Sequence, residues 1–234
     1  MGEAVPIIGG TGALGHGLAL RWAQAGVEIA IGSRDAERAA QAAERVREAV
    51  PGAKVEGLEN GEAARRGPLV VLAVPFRAHS ETLNNLRGAL EPGQLLCDCT
   101  VPLAAAVAGK ATRTLGVWQG SAAQQAEEMV PEGVRVVAAF HTIGARLLSQ
   151  LDESLDQDVL ICGDRREDKA KVARLAELIP GLRAVNAGAL ETARIVEQLT
   201  ALMISINSRY SSGEAGKVYS GLQVTGLPEG DHWA

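Results

Sequence analysis

The sequence predicts an α/β fold, a doubly wound, mainly parallel sheet followed by a small C-terminal α/β lobe. Three observations predict it. Apolar, β-branched runs alternate with amphipathic helical patterns from the N-terminus to His141, the rhythm of a parallel sheet covered by helices. The first apolar run, residues 4–8, passes through a glycine cluster straight into a helical pattern over 13–24. A second, shorter strand–helix–strand–helix series closes the chain. Residues 1–150 are expected to form a Rossmann-type unit and 151–234 a lobe packed on it.

The glycine cluster carries the first functional information. Gly10, Gly12 and Gly15 fit the dinucleotide fingerprint G-x-G-x-x-G. Gly10 is expected to make the tight turn. Gly12 would let the backbone approach a pyrophosphate, and Gly15 would let the helix pack close to the strand. The backbone at Thr11, Ala13 and Leu14 begins the helix, where unpaired N–H groups and the dipole favour phosphate. A second strand follows at 27–31, just after the helix-stopping Gly26. An NAD site would place an acid at its end. Here the end reads Gly32-Ser33-Arg34, with Arg38 one turn into the next helix. A hydroxyl and two guanidinium groups suit a 2′-phosphate, each charged hydrogen bond being worth about 1.5–3 kcal/mol. The pattern therefore implies NADP(H). Asp35 is read as a helix N-cap.

Composition narrows the classes. The 234 residues are 47% hydrophobic, enough for a full core, with 23 basic against 28 acidic side chains. A net charge of −5 and 3% aromatics do not suit a nucleic-acid binder. The longest strongly apolar run, 69–76, is too short to span a membrane, and residues 1–8 lack a secretory pattern. Three cysteines argue against a disulfide framework and for a reducing, cytoplasmic setting. Cys97-Asp98-Cys99 has no companion pair at ligand spacing, so no metal site is expected.

Further elements follow in order: a helix at 35–50, a short strand at 55–58, a brief helix at 61–66, and a continuous apolar strand at 69–74. A helix over 77–89 leads to a strand at 94–98. The stretch 104–120 lacks periodicity and reads as an active-site loop. Ser121-x-x-Gln124 is a capping box opening a helix. The next strand, 134–140, ends at His141. In the lobe, strands at 158–162 and 182–185 alternate with helices at 167–179 and 190–209, before a polar tail from Ser211. Pro6 sits in the strand expected at the sheet centre, where a missing N–H is costly unless no partner needs it.

Ligands in such sheets bind beyond the carboxyl ends of the strands. There lie Ala73, Val74, Pro75 and His79, then Pro102 after Cys99, then His141. The Tyr-x-x-x-Lys pair of short-chain dehydrogenases is missing, and no lysine stands at a strand end. A ketone or alcohol substrate needs a proton donor in step with the hydride. Its absence points instead to hydride exchange with a second cofactor, whose own ring accommodates charge.

Several blocks together resemble the NADPH-dependent reductases of coenzyme F420. They are Gly9-Gly10-Thr11-Gly12-x-Leu14-Gly15-x-Gly17, Gly32-Ser33-Arg34, Phe140-His141-Thr142-Ile143, Cys162-Gly163-Asp164, Leu182-Arg183 and Arg194-x-Val196-Glu197-x-Leu199-Thr200. The resemblance runs nearly the whole chain, departing at Gln198, Gly144 and Cys97-Asp98-Cys99. It implies reversible hydride transfer between NADP(H) and the 8-hydroxy-5-deazaflavin F420. It implies that Thr11, Ser33, Arg34 and Arg38 hold the 2′-phosphate side, and that His141, Arg194 and Thr200 lie at the deazaflavin. Two other readings of the scaffold stay open here: an NADP-dependent reductase of flavin, ferric or imine acceptors, and a non-catalytic NADP(H) sensor. Only small-molecule partners are expected, with a homodimer through the apolar helix around 199–206.

Overall fold

A computed structural model describes residues 3–210, 221–227 and 233. The tail expected at 211–220 and most of the end at 229–234 lie outside the described residues. Six strands form one sheet: β1 (Val5–Ile8), β2 (Ile29–Ser33), β3 (Val55–Glu59), β4 (Leu69–Leu72), β5 (Leu95–Asp98) and β6 (Arg135–Ala138). Their order is β3-β2-β1-β4-β5-β6 and every pairing is parallel. The order reverses between β1 and β4, which opens a crevice at their carboxyl ends. Between the strands run α1 (Ala13–Gln24), α2 (Ala36–Ala49), α3 (Asn60–Ala64), α4 (Phe76–Leu86) and α5 (Ala122–Met129). All residues of β2 and β5 are buried, as expected for strands covered on both faces.

Pro6 occupies a position that needs no donor. Successive N–H groups of a strand point to opposite neighbours. Those of Val5 and Gly9 donate to the Glu28 and Gly32 carbonyls on the β2 side. Pro6 therefore faces β4, whose pairing with β1 begins only at Ile7↔Val71.

After β6 come α6 (Ala145–Leu148), β7 (Gln157–Ile161), α7 (Arg166–Glu177), β8 (Leu182–Asn186) and α8 (Ala193–Tyr210). β7 and β8 pair in parallel as a separate two-stranded sheet. An antiparallel bridge, Ala138↔Cys162, hangs it on the end of β6. One apolar cluster runs across both parts, joining Ile7, Leu18 and Trp22 to Val159, Ile161 and Val172. Trp22 makes an edge-to-face contact with Phe140 at 5.7 Å, of a kind worth about 0.5–1.5 kcal/mol. Its indole N–H donates to the Leu175 carbonyl of α7 at 2.8 Å.

Arg21, on the same helix, is 1% exposed. Its guanidinium donates to the carbonyls of Leu147, Leu148, Gln150, Leu151 and Glu153 at 2.6–3.4 Å. The stretch between α6 and β7 is thus held by a side chain far away in sequence. Burial depresses the Arg21 pKa, and the nearby Glu153 and Asp152 carboxylates oppose that shift.

Candidate functional site

The turn after β1 is made by Gly9, with φ +81°. The tight turn expected at Gly10 therefore falls one residue earlier. A Cβ at Gly9 would lie 2.5 Å from the Ala73 carbonyl oxygen, and one at Gly15 2.7 Å from the Gly9 oxygen. Both distances are below any real Cβ contact, so these glycines let β1, β4 and α1 close together. α1 has no side-chain cap and no acid in its first turn. Its first N–H groups, including those of Ala13 and Leu14, point into the crevice end of the sheet without a negative side chain to compete.

Beside that turn is a cleft of about 260 Å³. It is lined by Gly9, Thr11, Gly12, Ser33, Arg34, Asp35, Arg38, Ala73, Val74 and Pro75, with Asn60, Arg77, Ala78 and Thr82. Most residues expected at the dinucleotide thus share one wall. Arg34 and Arg38 are exposed at its mouth. The Arg34–Glu81 ion pair is 3.6 Å long and about two-thirds exposed on both sides, so it holds Arg34 only weakly. Asp35 accepts from the N–H groups of Glu37 and Arg38 at 2.9 and 3.2 Å and caps α2, which turns its carboxylate to the helix. Gly10 and Gly15 are buried behind the turn.

The sequence reading lacked Asn60, Arg77, Ala78 and Thr82. Arg77 brings a third guanidinium, on the first turn of α4. Asn60 is 6% exposed, and its amide oxygen is buried without a partner. Pro75 was a signal for Arg77, two residues on, since a strand ending at proline starts a helix over the crevice. Nothing in the sequence marked Asn60.

His79 and Pro102 do not line this cleft. Pro102 is buried, and its carbonyl accepts from the Leu115 N–H. His79 is fully buried, its Nε2 2.7 Å from Asp98 and its Nδ1 3.1 Å from Gln125. Burial opposes the charge on both partners, but their mutual attraction and hydrogen bonds prevail. The His79 pKa is raised and that of Asp98 lowered, with Thr100 also donating to the carboxylate. The pair ties α4 to the carboxyl end of β5.

His141 follows β6. Phe140, with φ +66°, turns the chain so that the imidazole is 5% exposed. Both ring nitrogens are buried without partners. Burial pushes its pKa down to about 4, against a smaller upward pull from Asp98, so the ring is neutral at pH 7. Such a group has one donor and one acceptor to offer a ligand. Thr200 reaches it from α8, donating to the His141 carbonyl at 2.8 Å. Arg194 stands on the exposed side of α8, its Nε on the Glu191 carbonyl and its guanidinium over Gly120. Between them Glu197 is 1% exposed and accepts from the Ala122 and Ala123 N–H groups at 2.9 and 3.1 Å. Burial pushes its pKa up to about 8, outweighing those two bonds, with the Asp98 charge adding to the rise. The 104–120 stretch holds one 3-10 turn, Ala104–Val107, and an isolated antiparallel bridge from Thr114 to Leu103, and is otherwise a loop. Ser121 caps α5 by accepting from the Gln124 N–H, as the capping box predicts.

Both halves of this arrangement have relatives. Residues 4–102 match the family of coenzyme F420-dependent NADP oxidoreductases. An F420-dependent NADP reductase of Methanothermobacter thermautotrophicus is 43% identical over 228 residues, 96% of either chain. One from Methanocaldococcus jannaschii is 38% identical over 94% of this chain and 99% of its own.

The chain belongs to the F420-dependent NADP reductases.

The family match covers β1 to the end of β5. The relatives carry the alignment through α8, so the part holding His141, Arg194 and Thr200 is included. Among solved structures, a Sinorhizobium meliloti protein is 26% identical, covering 81% of this chain and 86% of its own, with a TM-score of 0.64. An Arthrobacter protein at 24% identity and TM-score 0.70, covering 90% of this chain and 96% of its own, shares the fold.

Proposed function

We propose that this chain is an oxidoreductase that passes a hydride reversibly between NADP(H) and coenzyme F420. Identity to F420-dependent NADP reductases along both lobes carries the reading. It favours F420 over flavin, ferric or imine acceptors and over a sensor. When both co-substrates are bound the redox chemistry is theirs: the dihydronicotinamide gives the hydride and the deazaflavin ring spreads the resulting charge. The protein's task is to hold two rings in contact.

The dinucleotide side is assigned to Thr11, Ser33, Arg34 and Arg38 for the 2′-phosphate, with the turn at Gly9–Gly15 taking the pyrophosphate. The shared cleft supports this, and so does the unpartnered Asn60 oxygen, which suits a ribose hydroxyl donor. Ala73, Val74 and Pro75 would pass the nicotinamide toward β5. The deazaflavin side is assigned to His141, Arg194 and Thr200. A neutral buried imidazole with two idle nitrogens supports it, because a ligand's polar edge would satisfy what the fold leaves unpaired. Residues 1–150 would then form the NADP unit, and 151–234 the lobe that closes over the deazaflavin.

Among the described residues no helix is long and apolar enough to cross a membrane. Three buried free cysteines fit a cytoplasmic protein, and we take its partners to be small molecules. Ile195, Leu202 and Tyr210 are 63%, 54% and 68% exposed on α8, an apolar stripe at two-turn spacing that suits a homodimer. Sedimentation should give twice the chain mass, and Leu202→Glu should halve it.

The decisive assay mixes protein with NADPH and oxidised F420, then NADP⁺ and reduced F420. Saturable loss and return of the deazaflavin visible band, with little activity on NADH, is expected. Tight NADPH binding with no F420 turnover would overturn the reading.

A further inference from the structure

Glu197 belongs to none of the groups assigned so far. It is buried, it is charged only at a cost, and its partners lie 75 and 74 residues away in the chain. Capping alone does not explain it, because Ser121 already supplies the local cap of α5. The first two N–H groups of α5, which Ser121 does not reach, are taken by this carboxyl group from α8. A cap from so far away fixes tertiary placement. Arg194 and Thr200 lie one helical turn to either side of it. Arg194 lies over Gly120, Glu197 on Ala122 and Ala123, and Thr200 on His141. These three contacts dock α8 against the end of the loop after β5, the first turn of α5 and the segment after β6.

We propose that Glu197 is a positioning residue for the deazaflavin site, clipping α8 to the first turn of α5 so that Arg194 and Thr200 stand over the strand ends. The proposal rests on the F420 reading given above. Its partners are backbone N–H groups, which no substitution at α5 other than proline removes. On the side-chain level the clip therefore depends on position 197. Asp98 from β5, His79 from α4 and Cys162 after β7 are the titratable groups that face it. A neighbouring buried ion pair that is already satisfied leaves Glu197 free to serve α5.

The test compares native protein with Glu197→Ala and Glu197→Gln. Glutamine keeps one acceptor oxygen but turns an N–H₂ toward a second N–H, so it should restore the clip in part. In Glu197→Ala the KM for F420 should rise at least about tenfold while NADPH affinity stays within about twofold. Glu197→Gln should fall between that variant and native. Hydrogen exchange gives a readout independent of turnover. Amides at 120–126 and 192–202 should exchange faster in Glu197→Ala, with those at 9–20 unchanged. The proposal fails if both variants keep the native KM for F420, or if NADPH and F420 binding weaken together. If Glu197→Ala does not fold, Glu197→Gln with a native KM and native exchange still refutes it. A native protein that never turns over F420 sinks the reading beneath the proposal. Native turnover with indifferent variants sinks the clip alone.

Discussion

Replacing His141 by Asn should flatten part of the acid dependence of stability. The imidazole moves from an ordinary pKa of 6.5 to about 4 because burial disfavours its charge. Unfolding frees it to bind a proton at the ordinary value. The cost is absent above the unfolded pKa, grows as pH falls below about 6.5, and is complete near 4. At 1.36 kcal/mol per pKa unit the full loss is about 3 kcal/mol, of which about 2 accrue between pH 7.5 and 5. In a chain of this length that corresponds to about 4–8 °C in Tm. Glu197 works with the opposite sign. Its raised pKa contributes stability at low pH that is lost as pH rises through about 8. It is present in both proteins and cancels in the difference. Urea unfolding of native and His141→Asn at the two pH values measures that difference. Parallel losses in the two proteins would show that the folded imidazole titrates normally, and the argument from its buried, unpartnered nitrogens would fall.

Arg34→Asp combined with Arg38→Ala should cut the NADPH-over-NADH preference at least about tenfold in kcat/KM, about 1.4 kcal/mol; unchanged selectivity would remove the phosphate assignment. Arg21→Met should destabilise the fold by about 3–5 kcal/mol in urea, since it strands buried carbonyls of the 147–153 stretch. Gly15→Ala should weaken NADPH binding and lower Tm together, because the added methyl meets the Gly9 oxygen at 2.7 Å; native values for both would mean that α1 can stand further from the turn.

The sheet was legible because its signals are local. Short apolar runs gave the strands, those at 4–8, 27–31 and 69–74 ended at once by glycine or proline, and Asp35 and Ser121 announced their helices. The dinucleotide wall was legible for the same reason, since the fingerprint and the Ser33-Arg34 pair sit in two short segments. What stayed hidden depends on contacts between distant segments. His79 looks like a crevice residue until Asp98 and Gln125 are seen to enclose it. Asn60 enters the cleft only because α3 packs against the ends of β1 and β2. Glu197 reads as one more polar position on a helix until α5 arrives beneath it. The turn at Gly9 was misplaced by one residue because the fingerprint begins at Gly10, whereas the positive φ and the close approach of Ala73 fall on the glycine before it.

The hold of Arg21 on the carbonyls of 147–153 has a consequence for how such chains drift. Carbonyl oxygens are offered by every residue type, so the grip does not depend on the exposed side chains of the strap. Substitutions at its exposed positions, Ser149, Gln150, Asp152 and Glu153, should accumulate with little effect, while its buried Leu148 and the helix position that grips it tolerate few. Variation in the connector between the lobes is thus a poor guide to its rigidity. A single arginine at the far end of the fingerprint helix carries the constraint.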